Sequence, residues 1–140
     1  MTRGLKNNNP GNIRHSATRW QGEIEVSENN EGLDASFKTF MTMAYGYRAM
    51  FKLLHNYAVI YNLHTLEQMI SRWAPPSENN TRAYISAVSL WSGVASSVKI
   101  DTTNPLTMIA VVSAMSRMEN GVAANIVEVN KGWELFCSQL

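Results

Sequence analysis

The sequence predicts a mainly helical α+β domain, and three observations carry that reading. After Thr42, apolar residues recur at three- and four-residue spacings. Residue types that start and stop helices punctuate those stretches. Only the region before them shows the polar–apolar alternation of a strand.

The 140 residues, 45% hydrophobic and 16% charged, suit a single domain, 1–140, with a sizeable core. A formal net charge of +1 provides no strong field for nucleic acid or an anionic membrane, so neither is an expected partner. The first ten residues contain no apolar run, so no signal peptide and no stable membrane insertion are expected. On this reading the protein is made in the cytoplasm and acts elsewhere only if something releases or carries it.

Residues 2–36 are rich in Gly, Asn and charge. Pro10-Gly11 is a turn pair, and the run Asn7-Asn8-Asn9 before it is either a turn or part of a polar site. Residues 19–26 alternate, placing Trp20, Ile24 and Val26 on one face of a short strand. Residues 27–32 form a loop, and 35–40 return as the partner strand of a small hairpin. Tyr45, Ala49, Met50, Leu53, Leu54, Tyr57 and Tyr61 mark an amphipathic helix that Asn62 ends. Thr65 caps the next helix, with Gln68 completing a capping box and Leu66, Met69, Ile70 and Trp73 facing inward. Pro75-Pro76 breaks it. A further helix spans about 79–92, with Tyr84, Ile85, Val88 and Trp91 inward and Gly93 as its stop. A small, polar linker over 95–103 follows.

The stretch 104–121 reads as the buried centre. Asn104 is an N-cap and Pro105 sits at the first helical position, where a missing N–H costs nothing. Leu106, Met108, Ile109, Val111, Val112, Met115 and Met118 leave almost no polar stripe, so 104–118 is expected to be the most buried helix, packed against the faces of Leu53, Ile70 and Val88. Asn120-Gly121 ends it. A last helical piece is expected within 123–136, broken near Gly132.

Glu119 stands just before the stop of this apolar helix. The negative end of the helix dipole and a sheltered position would both raise its pKa, as a general acid near neutral pH requires. The plain alternative is a solvent-facing Glu in a fraying last turn. The three histidines, His15, His55 and His64, have no metal-binding spacing, and Cys137 is the only cysteine and lies near the end. No metal or cofactor is expected, and neither a phosphate loop nor a G-x-S-x-G elbow is present. The remaining inventory is carboxylates (Glu119, Glu78, Glu23, Glu25, Asp34) with aromatics (Trp20, Trp73, Tyr84, Trp91), which is what a carbohydrate cleft uses.

Three segments carry a resemblance. The opening R-G-L-K-N-N-N-P-G-N-I-R, the middle R-W-A-P-P-S-E-N-N-T-R-A-Y and the late M-E-N-G resemble a family of small phage-associated peptidoglycan lytic proteins, also labelled virion structural or lytic proteins. They are also similar to a soluble lytic transglycosylase of the goose-lysozyme type, in circularly permuted order. The resemblance implies a lysozyme-like helical domain whose partner is the glycan strand of peptidoglycan. It makes Glu119 the acid/base and Tyr84 the tyrosine that points to it, with Asn9, Gly11, Asn12 and Arg14 lining the cleft floor and Glu78 and Trp73 contacting substrate. Asn120 stands where that family has Ser, Arg14 where it has Gln, and no Glu precedes Thr81; Glu78, three residues earlier, replaces it, or is itself the acid, or merely caps a helix. The implied reaction is cleavage of the MurNAc–GlcNAc β-1,4 bond, as a lytic transglycosylase or a muramidase. A peptidoglycan endopeptidase and a non-catalytic virion or wall-binding protein remain as alternatives, and an inhibitor or immunity partner is left open by the sequence.

Overall fold

The computed structural model describes residues 1–25 and 32–140. In chain order the described elements are α1 (Arg3–Lys6), β1 (Glu23–Ile24), β2 (Thr39–Phe40), α2 (Met43–Val59), α3 (Leu66–Trp73), α4 (Thr81–Ser92), α5 (Pro105–Asn120) and α6 (Ile126–Cys137). The protein is thus mainly helical with one small antiparallel sheet, as expected. No helix among the described residues is long and apolar enough to cross a membrane.

The helix punctuation follows the sequence closely. Thr65 accepts from the Gln68 amide, and the Gln68 side chain returns the bond, a complete capping box. Asn104 accepts from the Leu106 and Thr107 amides, with Pro105 in the first turn. Asn80, not Glu78, caps α4: its side chain accepts from the Ala83 amide at 3.1 Å. Gly93 and Gly121 end α4 and α5 in the left-handed conformation.

The hairpin is smaller than expected and is partly paired elsewhere. Glu23 pairs with Phe40 and Ile24 with Thr39, and nothing more among the described residues belongs to the sheet. The Glu23 amide donates to Trp20 O at 3.1 Å, so a turn at Gln21-Gly22 cuts off the first half of the predicted strand. Residues 36–38 instead meet residues 13–15: Lys38 N donates to Ile13 O at 2.9 Å and His15 N to Ser36 O at 3.1 Å. Val26, placed on the strand by the sequence pattern, lies outside the described residues.

One apolar cluster joins Tyr47, Met50, Phe51 and Leu54 of α2 with Leu66, Met69 and Ile70 of α3, Val88 of α4, and Met108, Val111, Val112 and Met115 of α5. Val129 and Phe136 of α6 close it. The helix that sits deepest is α2, not α5. Leu106 of α5 is 85% exposed, and Ile109, Ala110 and Ser113 line an open groove. A run of apolar residues reports how much surface a helix could bury, not how many neighbours cover it, and α5 is covered on one side only.

The second correction concerns α6, which runs unbroken through Gly132. A Cβ at Gly132 would lie 2.7 Å from Tyr47 Cβ and 2.9 Å from both Ala44 O and Arg48 N. Glycine here is the means by which α6 approaches the backbone of α2, so its weak helix propensity is outweighed by packing. Gly132→Ala is therefore expected to destabilise despite a helix-propensity gain of about 1 kcal/mol. Overpacking costs about 1–3 kcal/mol, and the net loss would appear as a melting temperature lower by a few degrees. A variant that melts at or above the parent temperature would show that α2 and α6 can separate freely.

Candidate active site

The site is assembled where the end of α5 meets the N-terminal loop, α3 and α4. Glu119 is the penultimate residue of α5. Its Oε1 accepts from Asn12 Nδ2 at 2.8 Å and its Oε2 from the Tyr84 hydroxyl at 2.8 Å. The Trp73 side chain supplies a third hydrogen bond. The donors come from the loop after α1, from α4 and from the last position of α3, and all are neutral.

Burial raises the Glu119 pKa, and the hydrogen bonds from Asn12, Tyr84 and Trp73 oppose that rise without cancelling it. Burial also pushes the Tyr84 phenol well above its ordinary value, and the adjacent Glu119 pushes it further. Tyr84 therefore stays protonated and acts as a fixed donor. The arrangement is that of a sheltered carboxyl, oriented at both oxygens and inclined to hold a proton.

The N-terminal loop reaches this position through its asparagines. Asn8 and Asn12 adopt left-handed backbone angles, φ 52 and φ 51, which Asn tolerates better than most residues. Asn9 is fully buried; its Nδ2 donates to Ile13 O at 2.9 Å and Lys38 O at 2.8 Å, while its Oδ1 accepts from Ile13 N at 2.9 Å. Every polar atom of its side chain is spent within the fold. In this fold Asn9 braces the loop.

Gly11 serves the packing of the same loop. It is buried, and a Cβ there would lie 2.7 Å from Trp73 Cζ2 and 2.9 Å from Met50 Cγ. It lets the loop close onto the Trp73 ring. Trp73 is half-buried, edge-on to Tyr57 with ring centroids 6.3 Å apart. Its place is in the first circle around Glu119. Arg14 and Glu78 are both more than half exposed and lie 4.0 Å apart, with Arg14 also over the Phe37 ring at 5.0 Å. They sit at the rim and do not touch Glu119 by any described hydrogen bond.

Sequence reasoning missed α1 and the residue that joins it to α5. Asn120 Nδ2 donates to Pro10 O and to Ser116 O, each at 2.9 Å, and its Oδ1 accepts from the Thr2 hydroxyl at 2.7 Å. The residue after Glu119 thus clamps the loop that carries Asn12. The only signal for this in the sequence was a polar residue just before a helix-ending glycine, which usually means a cap.

The other carboxylates considered are engaged elsewhere. Asp34 accepts from the Arg3 guanidinium, from Asn7 and from the amides of Ser36 and Phe37, which holds it well below the ordinary carboxylate range. Glu23 pairs with the buried Lys38 at 2.8 Å, and Glu25 with Arg19 at 3.2 Å. Cys137 is exposed, and partial burial of its thiol raises the pKa, the opposite of what a nucleophilic thiolate needs. Two surface grooves, of about 790 and 590 Å³, lie between α3 and α4 and beside α5 and α6; Glu119 lines neither.

No protein family model matches the chain. It is 42% identical over 137 residues to "Protein P5" of Pseudoalteromonas phage PM2, covering 94% of this chain and 80% of that protein.

Two outcomes follow from this geometry. Asn120→Ala removes three hydrogen bonds and strands the Pro10 carbonyl, so a loss of about 1–3 kcal/mol is expected. Amide exchange should rise over residues 2–13 more than over α2, and uniform exchange would deny the clamp. The second outcome concerns pH. Glu119 binds its proton more tightly folded than unfolded, so its favourable contribution is present below the unfolded pKa of about 4.3 and is lost as pH rises through the folded value. Relative to the parent, Glu119→Gln should therefore gain stability between pH 4 and pH 8 (~, spanning the titration). A parent–variant difference that is flat across thermal melts at both ends would mean that Glu119 is not shifted upward.

Proposed function

The chain belongs to the family of Protein P5 of Pseudoalteromonas phage PM2, and we propose that this phage-associated protein is a lysozyme-like peptidoglycan glycosidase. It cleaves the β-1,4 bond between MurNAc and GlcNAc by general acid/base catalysis, on a fold circularly permuted relative to lytic transglycosylases. The observation that carries the reading is the Glu119 carboxyl, sheltered at a helix end, raised in pKa, and held at both oxygens by neutral donors from Asn12 and Tyr84.

In this mechanism Glu119 gives its proton to the glycosidic oxygen as the bond from the MurNAc C1 breaks. The sugar passes through an oxocarbenium-like state. The Glu119 carboxylate, now ionised, takes the proton of the nucleophile that bonds to C1. With the sugar's own 6-hydroxyl as nucleophile the product is a 1,6-anhydro end; with water it is a reducing end. Asn12, Tyr84 and Trp73 stabilise the carboxylate in that half of the cycle and hold its direction in both halves.

The 6-hydroxyl route is favoured because it needs one carboxyl. Asp34, Glu23 and Glu25, the candidates for a second carboxylate, are each paired within the fold. The alternative of a non-catalytic virion or wall-binding protein draws on Glu119 lining neither of these two grooves. Such a protein would bind sacculi and release nothing.

On purified sacculi, Glu119→Gln should reduce turbidity clearance by about a hundredfold or more, the scale for losing a positioned general acid. Tyr84→Phe should cost less, because Tyr84 orients and transfers no proton. Mass spectrometry of released fragments should show 1,6-anhydro ends. Clearance by Glu119→Gln at the parent rate rejects the mechanism, and a parent protein that binds sacculi without releasing fragments rejects the enzyme.

A further inference from the structure

We propose that the groove between α3 and α4 binds a short peptide carrying both an ammonium and a carboxylate. Resting on the glycosidase reading, its natural occupant is the stem peptide borne by peptidoglycan strands. The groove, about 790 Å³, is lined by Glu67 and Ser71 from α3 and by Arg82, Ile85, Ser86 and Ser89 from α4, among others. None of its lining residues is aromatic, so it lacks the ring faces on which sugars stack. A glycan is therefore not the ligand it suits.

Its charges are complementary to a peptide. Glu67 and Arg82 stand on different helices, and neither has an ion-pair partner among the described residues. An ammonium fits the carboxylate, and a carboxylate fits the guanidinium fork, which can bind it with two parallel hydrogen bonds. The hydroxyls between them are oriented for a backbone. Ser71 and Ser89 donate to the carbonyls of Glu67 and Val94, at 2.6 and 2.7 Å, which leaves their oxygen lone pairs to accept peptide N–H groups.

The groove and the Arg14–Glu78 pair share the connection that leads into α4. Pro76, Asn79, Asn80 and Thr81 line one end of the groove, and the same connection carries Glu78, 4.0 Å from Arg14. Arg14 follows Asn12 by two residues on the loop that bonds Glu119. A strand with its reacting bond at Glu119 could thus lay an attached peptide past this pair and into the groove. Exposed charges contribute weakly each, so the grip is loose and suited to repeated release.

The test uses the full chain, labelled with nitrogen-15 and titrated with a sugar-free synthetic tetrapeptide that has one free side-chain amine and free carboxylates. Amide shifts should be concentrated at residues 67–71 and 82–89. Glu67→Ala and Arg82→Ala should each weaken binding by about fivefold, the upper range for one exposed ion pair. Acetylating the peptide amine should remove the effect of Glu67→Ala, and Arg82→Lys should restore part of the affinity. Both side chains are on the surface, and a well-dispersed spectrum certifies each variant as folded. An absence of shifts along the groove, or affinity unchanged in both alanine variants, overturns the assignment. The titration contains no glycosidic bond, so a protein that clears sacculi but ignores the peptide overturns the groove alone. One that binds the peptide but cleaves nothing overturns the glycosidase reading alone.

Discussion

The site depends on one buried amide. Asn120 holds the Pro10 carbonyl and the Thr2 hydroxyl against the end of α5, while also satisfying the Ser116 carbonyl of its own helix. Those bonds fix the loop that carries Asn12, and Asn12 is one of three groups that aim the Glu119 carboxyl. The electrostatics follow from the same contact. With the loop in place, Glu119 is held by neutral donors, and no cation among the described residues pairs with it. Burial then outweighs hydrogen bonding, and the proton is held more tightly than on a free carboxyl.

Much of the helical framework was legible in the sequence because its signals are local. Thr65 with Gln68, Asn104 with Pro105, and the glycines at 93 and 121 each act within a turn of the chain, and each appears where expected. The pairing of Tyr84 with Glu119 came from the resemblance and not from any spacing, since the two are 35 residues apart. What could not be read was long-range. The break expected at Gly132 ignored the neighbour that makes glycine necessary there. The expected hairpin ignored residues 13–15, which compete for the same edge of residues 36–38. Burial of α5 was overestimated because one sequence does not say where a helix has neighbours.

The residues of the N-terminal loop take different places for one reason. Asn9 and Gly11 were grouped with Asn12 and Arg14 because all four lie in one polar loop. Composition does not separate the asparagine that braces a loop from the one that faces outward. Asn9 spends its amide on Ile13 and Lys38, whereas Asn12 reaches Glu119. The distinction rests on which backbone groups the turn leaves unsatisfied, and that is decided only once Lys38 arrives from 29 residues away.

The bond between Thr2 and Asn120 closes a loop of 118 residues. Contacts of such span are slow to form, because the chain gives up most of its entropy before they return anything. Helices α2 to α6 can gather around their apolar cluster with contacts of shorter range, but Glu119 has its full set of donors only when the first dozen residues dock on the end of α5. The aligned site therefore exists only with the N-terminal segment docked, which makes that docking a condition for whatever chemistry Glu119 performs.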